Sequence, residues 1–232
     1  MGSDFADLEA IRVMGRYYRW KADLVESYLG PRVLEVGCGT GLLMDRLDER
    51  ELLFGIDPDA ACISVARSRF HGRPGVRAEI GDILGEDLLS LSGKKFTSVI
   101  FASSLEAMKD DRLAVRRAAE LLEPGGRVVI LASAIPELTG TLDSRFAARR
   151  YRLDEIGLLL AMAGLKTLTL RYFNLLGAFG WWWDSRVVKR RSVSEGTYRR
   201  RDLAVPLARL VDRLTGPPFG RSLLAVGEKP WW

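Results

Sequence analysis

Among 232 residues there is one histidine, His71, and there are two cysteines, Cys38 and Cys62. Two cysteines exclude a disulfide scaffold and fit a reducing compartment, so a cytoplasmic location is expected. Without a run of cysteines, histidines or paired acids at ligand spacing, no metal centre is expected. His71 falls in RFHGRPG, a loop between a helix and the strand that follows it. That places it at the amino-terminal edge of a parallel sheet, so histidine general-base chemistry is not expected. No apolar run approaches the ~18–20 residues of a membrane-spanning helix; GLLLAMAGL is about half that length. The first residues, MGSDFADLEA, lack a basic segment followed by an apolar one, and position 6 is Ala6. Neither a secretory leader nor a myristoyl anchor is expected from them. Repeats, low-complexity tracts and linkers are also absent, which leaves residues 1–232 as one expected domain.

What is present is a chain with 47% hydrophobic residues and a divided charge. Residues 139–232 carry 17 Lys and Arg against 8 Asp and Glu, whereas the rest carries 18 against 22. An anionic substrate or surface, or a solvated basic face, would account for the basic half. Short β-branched runs alternate with amphipathic stretches, the pattern of βαβ units and a parallel sheet. Strands are expected at 32–37, 52–57, 76–82, 96–102, 127–133, 166–174 and 222–230. Helices are expected at 42–50, 60–70, 110–126 and 153–165. The last two strands are separated by residues 175–221, far longer than an ordinary connection, and this insertion contains GAFGWWWDSRVVKRR.

EVGCGTG, Glu35 to Gly41, leaves the first strand and opens the next element. Gly37, Gly39 and Gly41 permit a sharp turn and close approach of a ligand to main chain. The spacing G-x-G-x-G differs from the dinucleotide fingerprint G-x-G-x-x-G, and Glu35 would repel a pyrophosphate. Asp57 ends the second strand and is placed to accept ribose hydroxyl hydrogens. Asp82 ends the third, where an adenine amino group would find an acceptor. All lie at carboxyl ends of parallel strands, where open α/β sheets bind ligands.

RVLEVGCGTG, GIDPD, GDI, SSLEAMKDD and LLEPGGRVVI together resemble the class I S-adenosylmethionine-dependent methyltransferases, over about residues 17–230. The resemblance implies an α/β, Rossmann-like seven-stranded methyltransferase sheet. Its last strand would be antiparallel, with an aromatic and basic insertion between the last two strands. It implies S-adenosylmethionine as cofactor, with Gly37, Cys38, Gly39 and Gly41 along its methionine part and Glu35 supporting its ammonium. Asp57 and the adjoining Pro58 would serve the ribose, Asp82 and Ile83 the adenine, and Ser103 the sulfonium. RYYRWKADLVESYLGPRVLEVG and RYFNLLGAFGWWWDSRVVKRR further resemble a bacterial subgroup associated with polysaccharide and secondary-metabolite pathways. On that resemblance residues 1–30 form a helical cap, placing Tyr17, Tyr18 and Trp20 over the cofactor, and residues 175–221 form a substrate lid.

Two histidines habitual in the subgroup are missing: Glu106-Ala107 stands where Glu-His is usual, and alanines 147 and 148 precede Arg149-Arg150-Tyr151. Candidates for a general base are then Glu106, Tyr151, Tyr172 and Asp143. Asp143, Asn174, Trp181 and Trp182 are the substrate and lid candidates, because aromatic faces attract sulfonium cations. The expected activity is methyl transfer to nitrogen or an acidic oxygen of a small molecule in specialised metabolism. A competing expectation is intramolecular cyclisation of the cofactor to an azetidine with release of methylthioadenosine. A third is a non-catalytic cofactor-binding protein or a peripheral membrane partner acting through RVVKRR and YRRRD. Nucleic acid is not an expected partner, since the tryptophans are contiguous rather than interleaved at base spacing. The oligomeric state is left open.

Overall fold

The computed structural model describes residues 11–85, 91, 93–142, 149–190 and 192–231. Its centre is a seven-stranded sheet in the order β3-β2-β1-β4-β5-β7-β6. The strands are β1 (Arg32–Val36), β2 (Leu52–Asp57), β3 (Val76–Ile80), β4 (Phe96–Ala102), β5 (Leu122–Ser133), β6 (Lys166–Phe173) and β7 (Ser222–Glu228). β7 alone runs backwards, antiparallel to both β5 and β6, as the resemblance implied. β4 reads FTSVIFA, nearly continuous in apolar residues, because both of its faces are covered.

The helices are α1 (Gly15–Val25), α2 (Ala60–Arg69), α3 (Asp111–Leu121), α4 (Leu153–Met162), α5 (Leu175–Trp182), α6 (Glu195–Leu203) and α7 (Val205–Thr215). One face of the sheet packs Phe54, Phe101, Val128 and Ile130 against Val115 and Ala118 of α3 and Ile156 and Leu160 of α4. The other packs Val33, Ile100, Val129 and Leu224 against Trp20 of α1, Ile63 and Ala66 of α2 and Val205 and Ala208 of α7. Each buried Val, Leu, Ile or Phe among these contributes about 1.5–3 kcal/mol by leaving water.

The expected helix at 42–50 is the main departure: only a 3₁₀ turn, Met44–Arg46, forms there. Residues 38–44 are all buried, so this stretch lines the core instead of presenting an outer face. Asp48, Glu49 and Glu51 would also have lain at or just beyond the carbonyl end of that helix, where negative charge is unfavourable. The helix expected to end at the Glu123-Pro124-Gly125-Gly126 stop ends at Leu121, and β5 begins at Leu122, five residues early. Pro124 cannot continue a helix, and the pairing with β4 slips between Phe96 and Ser98.

Residues 175–221 fold as α5, a π-helical turn Trp183–Val187 that prolongs it, α6 and α7. Their acids tie the insertion to the rest of the chain. Asp202 of α6 accepts the first-turn amides of α1, Arg16 at 3.2 Å and Tyr17 at 2.9 Å. Met14, at the start of α1, supplies no side-chain cap, so Asp202 performs that task from 186 residues away. Asp212 of α7 likewise accepts from the Asn174 and Leu175 amides where α5 begins.

Candidate active site

The carboxyl ends of β1, β2, β4, β5 and β6, and the start of the reversed β7, meet along one edge of the sheet. The glycine loop there turns through positive φ at Gly37, Gly39 and Gly41. At Gly37 a Cβ would stand 2.4 Å from Ser104 Cβ, and at Gly41 2.5 Å from the Phe70 ring. Packing therefore demands glycine at both positions, while the loop amides stay close to the edge. Gly39 N–H donates to Asp57 Oδ2, and Asp59 N–H to Asp57 Oδ1, both at 2.9 Å. Burial raises the Asp57 carboxyl above its usual range, and these two amides pull it back down.

Beneath the loop Glu35 is 2% exposed, and its Oε2 has no partner. Burial pushes its carboxyl up to about 8; Lys21 opposes this, Asp57 adds to it, and the Met44 amide opposes it. An unsatisfied buried carboxylate oxygen costs stability unless something donates to it. Lys21 of α1 is also buried, at 5% exposed, and its Nζ donates to Ser103 Oγ at 2.9 Å. The same ammonium lies 5.2 Å from the Tyr17 ring and 5.5 Å from the Tyr18 ring. Ser103 follows β4 in a left-handed conformation, φ 65°, held by its amide on Leu131 O at 2.7 Å. Glu106, two residues beyond Ser104, is 3% exposed; Oε1 accepts the Ser133 amide at 2.7 Å and Oε2 is unpartnered. Burial raises its carboxyl, against the pull of the Ser133 hydrogen bond and of Lys21.

The structure thus brings together Glu35, Gly37, Gly39, Gly41, Asp57, Ser103, Tyr18 and Glu106. Tyr18 is close enough to Glu35 and Tyr198 that, after burial and Tyr17, they raise its phenol. Cys38 offers main chain only, since its thiol is 6% exposed, turned toward Gly55 and pushed up by burial. Pro58 and Asp82 are exposed beside the edge; Asp82 Oδ1 takes the Leu84 amide at 2.9 Å. The Ile83 side chain is in the core, the residue being 1% exposed, and its carbonyl accepts from Arg117 Nη1 at 2.8 Å.

Other candidates are held elsewhere. Tyr151 is 5% exposed, with its hydroxyl donating to Asp111 Oδ2 at 2.9 Å, and burial and Asp111 both raise its phenol. It anchors the loop after β5 to α3. Tyr172 sits on edge strand β6 and packs against the α3–α4 side. Trp20 packs edge-on to Phe173 in the core, centroids 5.5 Å apart, away from the loop. Asn174 adopts φ 64° and caps α5 through Gly177 N–H at 3.0 Å; it also bonds to Tyr17. Asp143 lies outside the described residues. His71 is exposed in its loop.

Of the three tryptophans, Trp181 is 6% exposed, while Trp182 and Trp183 are 45% and 56% exposed. The Trp181 ring does not present a bare face to a sulfonium. Arg221 lies 4.1 Å from its centroid, Arg150 5.4 Å and Arg201 5.8 Å. Lys21, Arg201 and Arg221 escaped the sequence reading, and Arg150 entered it only within Arg149-Arg150-Tyr151, without a role. For Lys21 a signal existed: Tyr17, Tyr18, Lys21 and Val25 recur on one helical face. The arginines come from three distant segments and converge only through the fold.

Residues 34–128 match a protein-family model described as a methyltransferase domain. A ubiquinone biosynthesis O-methyltransferase of Bordetella avium is 33% identical over 128 residues, covering 54% of this chain and 52% of that protein. An uncharacterized methyltransferase of Mycobacterium bovis is 33% identical over 111 residues, 47% of this chain and 54% of its own. The chain spans about half the length of the curated relatives it matches. Among solved structures, a Haloferax volcanii complex of a methyltransferase activator with a methyltransferase superposes with TM-score 0.65 at 16% identity, covering 97% of this chain and 96% of that one. A geranyl diphosphate C-methyltransferase from Streptomyces coelicolor, in complex with Mg2+, geranyl diphosphate and S-adenosyl-L-homocysteine, gives TM-score 0.62 at 15% identity, covering 90% and 77%. Both share the fold.

Proposed function

We propose that this chain transfers the methyl group of S-adenosylmethionine to an oxygen or nitrogen of a small-molecule acceptor. S-adenosylmethionine is the cofactor of the methyltransferase domain at residues 34–128. The observation that carries the reading is the buried, half-satisfied Glu35 under a glycine loop whose neighbour Asp57 reaches the edge. Glu35 Oε2, which lacks a donor, would accept from the cofactor's ammonium, and the remaining lone pairs of Asp57 would accept from its ribose hydroxyls. Gly37 and Gly41 let the loop turn through positive φ while packing against Ser104 and Phe70, which holds its main chain at the edge. When bound, the cofactor supplies a methyl group on an electron-poor sulfonium.

The protein's own share is alignment, desolvation and proton handling. Tyr17, Tyr18 and Lys21 on α1 cover the loop and exclude water from it. Lys21 fixes Ser103 at the end of β4 through a 2.9 Å hydrogen bond. Glu106 Oε2 is the group placed to take the proton of an acceptor hydroxyl or amine; burial raises its carboxyl and so strengthens it as a base. The O-methyltransferase activity named for the Bordetella avium relative supports an acidic oxygen as the acceptor atom. A setting in specialised metabolism, and residues 175–221 as the wall that closes on the acceptor, belong to the same proposal and rest on the sequence resemblance. No helix among the described residues is long and apolar enough to cross a membrane.

Incubation of the purified protein with S-adenosylmethionine and a panel of phenols, carboxylic acids and amines tests the reading. Acceptor-dependent formation of S-adenosylhomocysteine is expected. Release of methylthioadenosine without any acceptor would overturn it in favour of cyclisation.

A further inference from the structure

We propose that the acceptor carries an anionic group, a carboxylate or a phosphate, held by Arg150, Arg201 and Arg221 around the Trp181 ring. This rests on the methyltransferase reading and names the class of its second substrate.

The three guanidiniums come from separate segments. Arg150 precedes α4 and is 7% exposed, with Nη1 donating to Ala134 O at 2.8 Å just past β5. Arg221 precedes β7, its amide on Asn174 O at 3.1 Å. Arg201 belongs to α6 in the insertion. They surround one buried indole at 4.1, 5.4 and 5.8 Å. Arg201 uses Nη2 on Asp184, but its Nη1 is buried with no hydrogen-bond partner. A buried guanidinium nitrogen left without an acceptor is costly, and an anionic oxygen is the acceptor it suits best. Asp184 also accepts from Arg190 at 2.9 Å, so its carboxylate is shared between two guanidiniums.

The cluster is continuous with the cofactor edge. Tyr17 is hydrogen-bonded to Ser222 and Asn174; burial resists its ionisation, but Lys21 and Arg221 outweigh that and lower its phenol. Lys21 in turn holds Ser103. A lane of positive charge therefore runs from the end of β4 to Trp181, flanked by Glu35 and Glu106, both of which burial biases toward their neutral forms. Planar guanidiniums gathered about one indole suit paired hydrogen bonds to carboxylate or phosphate oxygens. The basic character of residues 139–232 thus has a local destination.

The test is calorimetric titration of the whole protein, saturated with S-adenosylhomocysteine, with pyrophosphate in one arm and benzoate in the other. At least one probe is expected to bind, with an affinity that falls as salt rises. Arg221→Gln and Arg201→Gln should each weaken it on the order of 10-fold or more, and Arg201→Lys should recover part of the loss. S-adenosylhomocysteine affinity, measured on the same samples, reports that each variant is folded. Response to pyrophosphate alone assigns a phosphate, and response to benzoate alone a carboxylate. Absence of binding by both probes to protein that binds S-adenosylhomocysteine would overturn the proposal, as would equal binding by wild type and variants. If pyrophosphate binds in an arginine-dependent way while S-adenosylhomocysteine does not bind, the anion subsite stands and the methyltransferase reading fails.

Discussion

Glu35 makes the cofactor assignment measurable without any knowledge of the acceptor. Its carboxyl is pushed up to about 8 by burial, with Lys21 and the Met44 amide opposing and Asp57 reinforcing the shift. At pH 6.5 such a group is almost fully protonated in the free protein. A ligand ammonium paired with Glu35 Oε2 would favour the ionised form, so binding should expel a proton. The expected release at pH 6.5 is about one proton per ligand, and the cost of ionisation there is about 2 kcal/mol, from ~1.36 kcal/mol per pH unit. Affinity should tighten as pH rises from 6.5 to 7.5. The gain is roughly fivefold once partial loss of the ligand's own ammonium proton is allowed for.

The assay is titration with S-adenosylhomocysteine at pH 6.5 in buffers of different ionisation enthalpy. The slope of observed heat against buffer enthalpy gives the proton count directly. Glu35→Gln should abolish the release and weaken binding. A heat independent of buffer in the wild-type protein would refute the reasoning, and so would a release that persists in Glu35→Gln. In either case Glu35 would not be the group that meets the ligand's ammonium.

Other outcomes follow from the same geometry. Asp57→Ala should weaken S-adenosylhomocysteine at least about 30-fold, through loss of hydrogen bonds to a charged acceptor worth ~1.5–3 kcal/mol each; unchanged affinity by calorimetry would remove Asp57 from the ribose. Gly37→Ala combines φ 71° with a 2.4 Å approach to Ser104 Cβ, and should cost about 2–3 kcal/mol in urea unfolding. Asp202→Ala removes the acceptor of two α1 amides and should cost about 1–2 kcal/mol, with faster hydrogen exchange confined to the start of α1. The free protein should also lose stability as pH rises from 6 to 8. A carboxyl raised in the folded state favours folding while it stays protonated, and that contribution fades between its unfolded value and about 8. The expected loss from Glu35 is about 2 kcal/mol. Urea melts that are flat across this range would contradict it.

Local sequence carried the sheet well, because the strands are short runs rich in apolar and β-branched residues, and β1, β2, β3 and β7 close on a glycine or an acid. The glycine loop, Asp57 and Ser103 were readable for the same reason, since each follows a strand at a fixed step. The failed helix at 42–50 shows where local reading stops. Its apolar residues suit a helix face, but the core draws all of residues 38–44 inward at once. Tyr151 was unreadable in another way: nothing adjacent to it reveals that Asp111, 40 residues earlier, would take its hydroxyl. Side-chain partnerships across long separations decide which of several plausible tyrosines and acids faces the edge.

The insertion at 175–221 shows why its function could not be inferred from the tryptophans alone. Three adjacent indoles on a helix must point in different directions, so one can be buried while its neighbours are exposed. Trp181 is that one, and its environment is set by Arg150, Arg201 and Arg221 rather than by Trp182 or Trp183. The acids of the same insertion are spent on capping: Asp202 on α1, Asp212 on α5, and Asp184 on Arg190 and Arg201. Because Asp202 and Arg201 are consecutive residues of α6, the segment that fixes the start of α1 also presents a guanidinium to Trp181. Movement of α6 would therefore loosen the cover over the glycine loop and displace Arg201 together. Hydrogen exchange provides the check: an anion bound at Arg201 should slow exchange at the start of α1 in the wild-type protein but not in Asp202→Ala. Equal slowing in both would show that the two ends of the edge are not joined through α6.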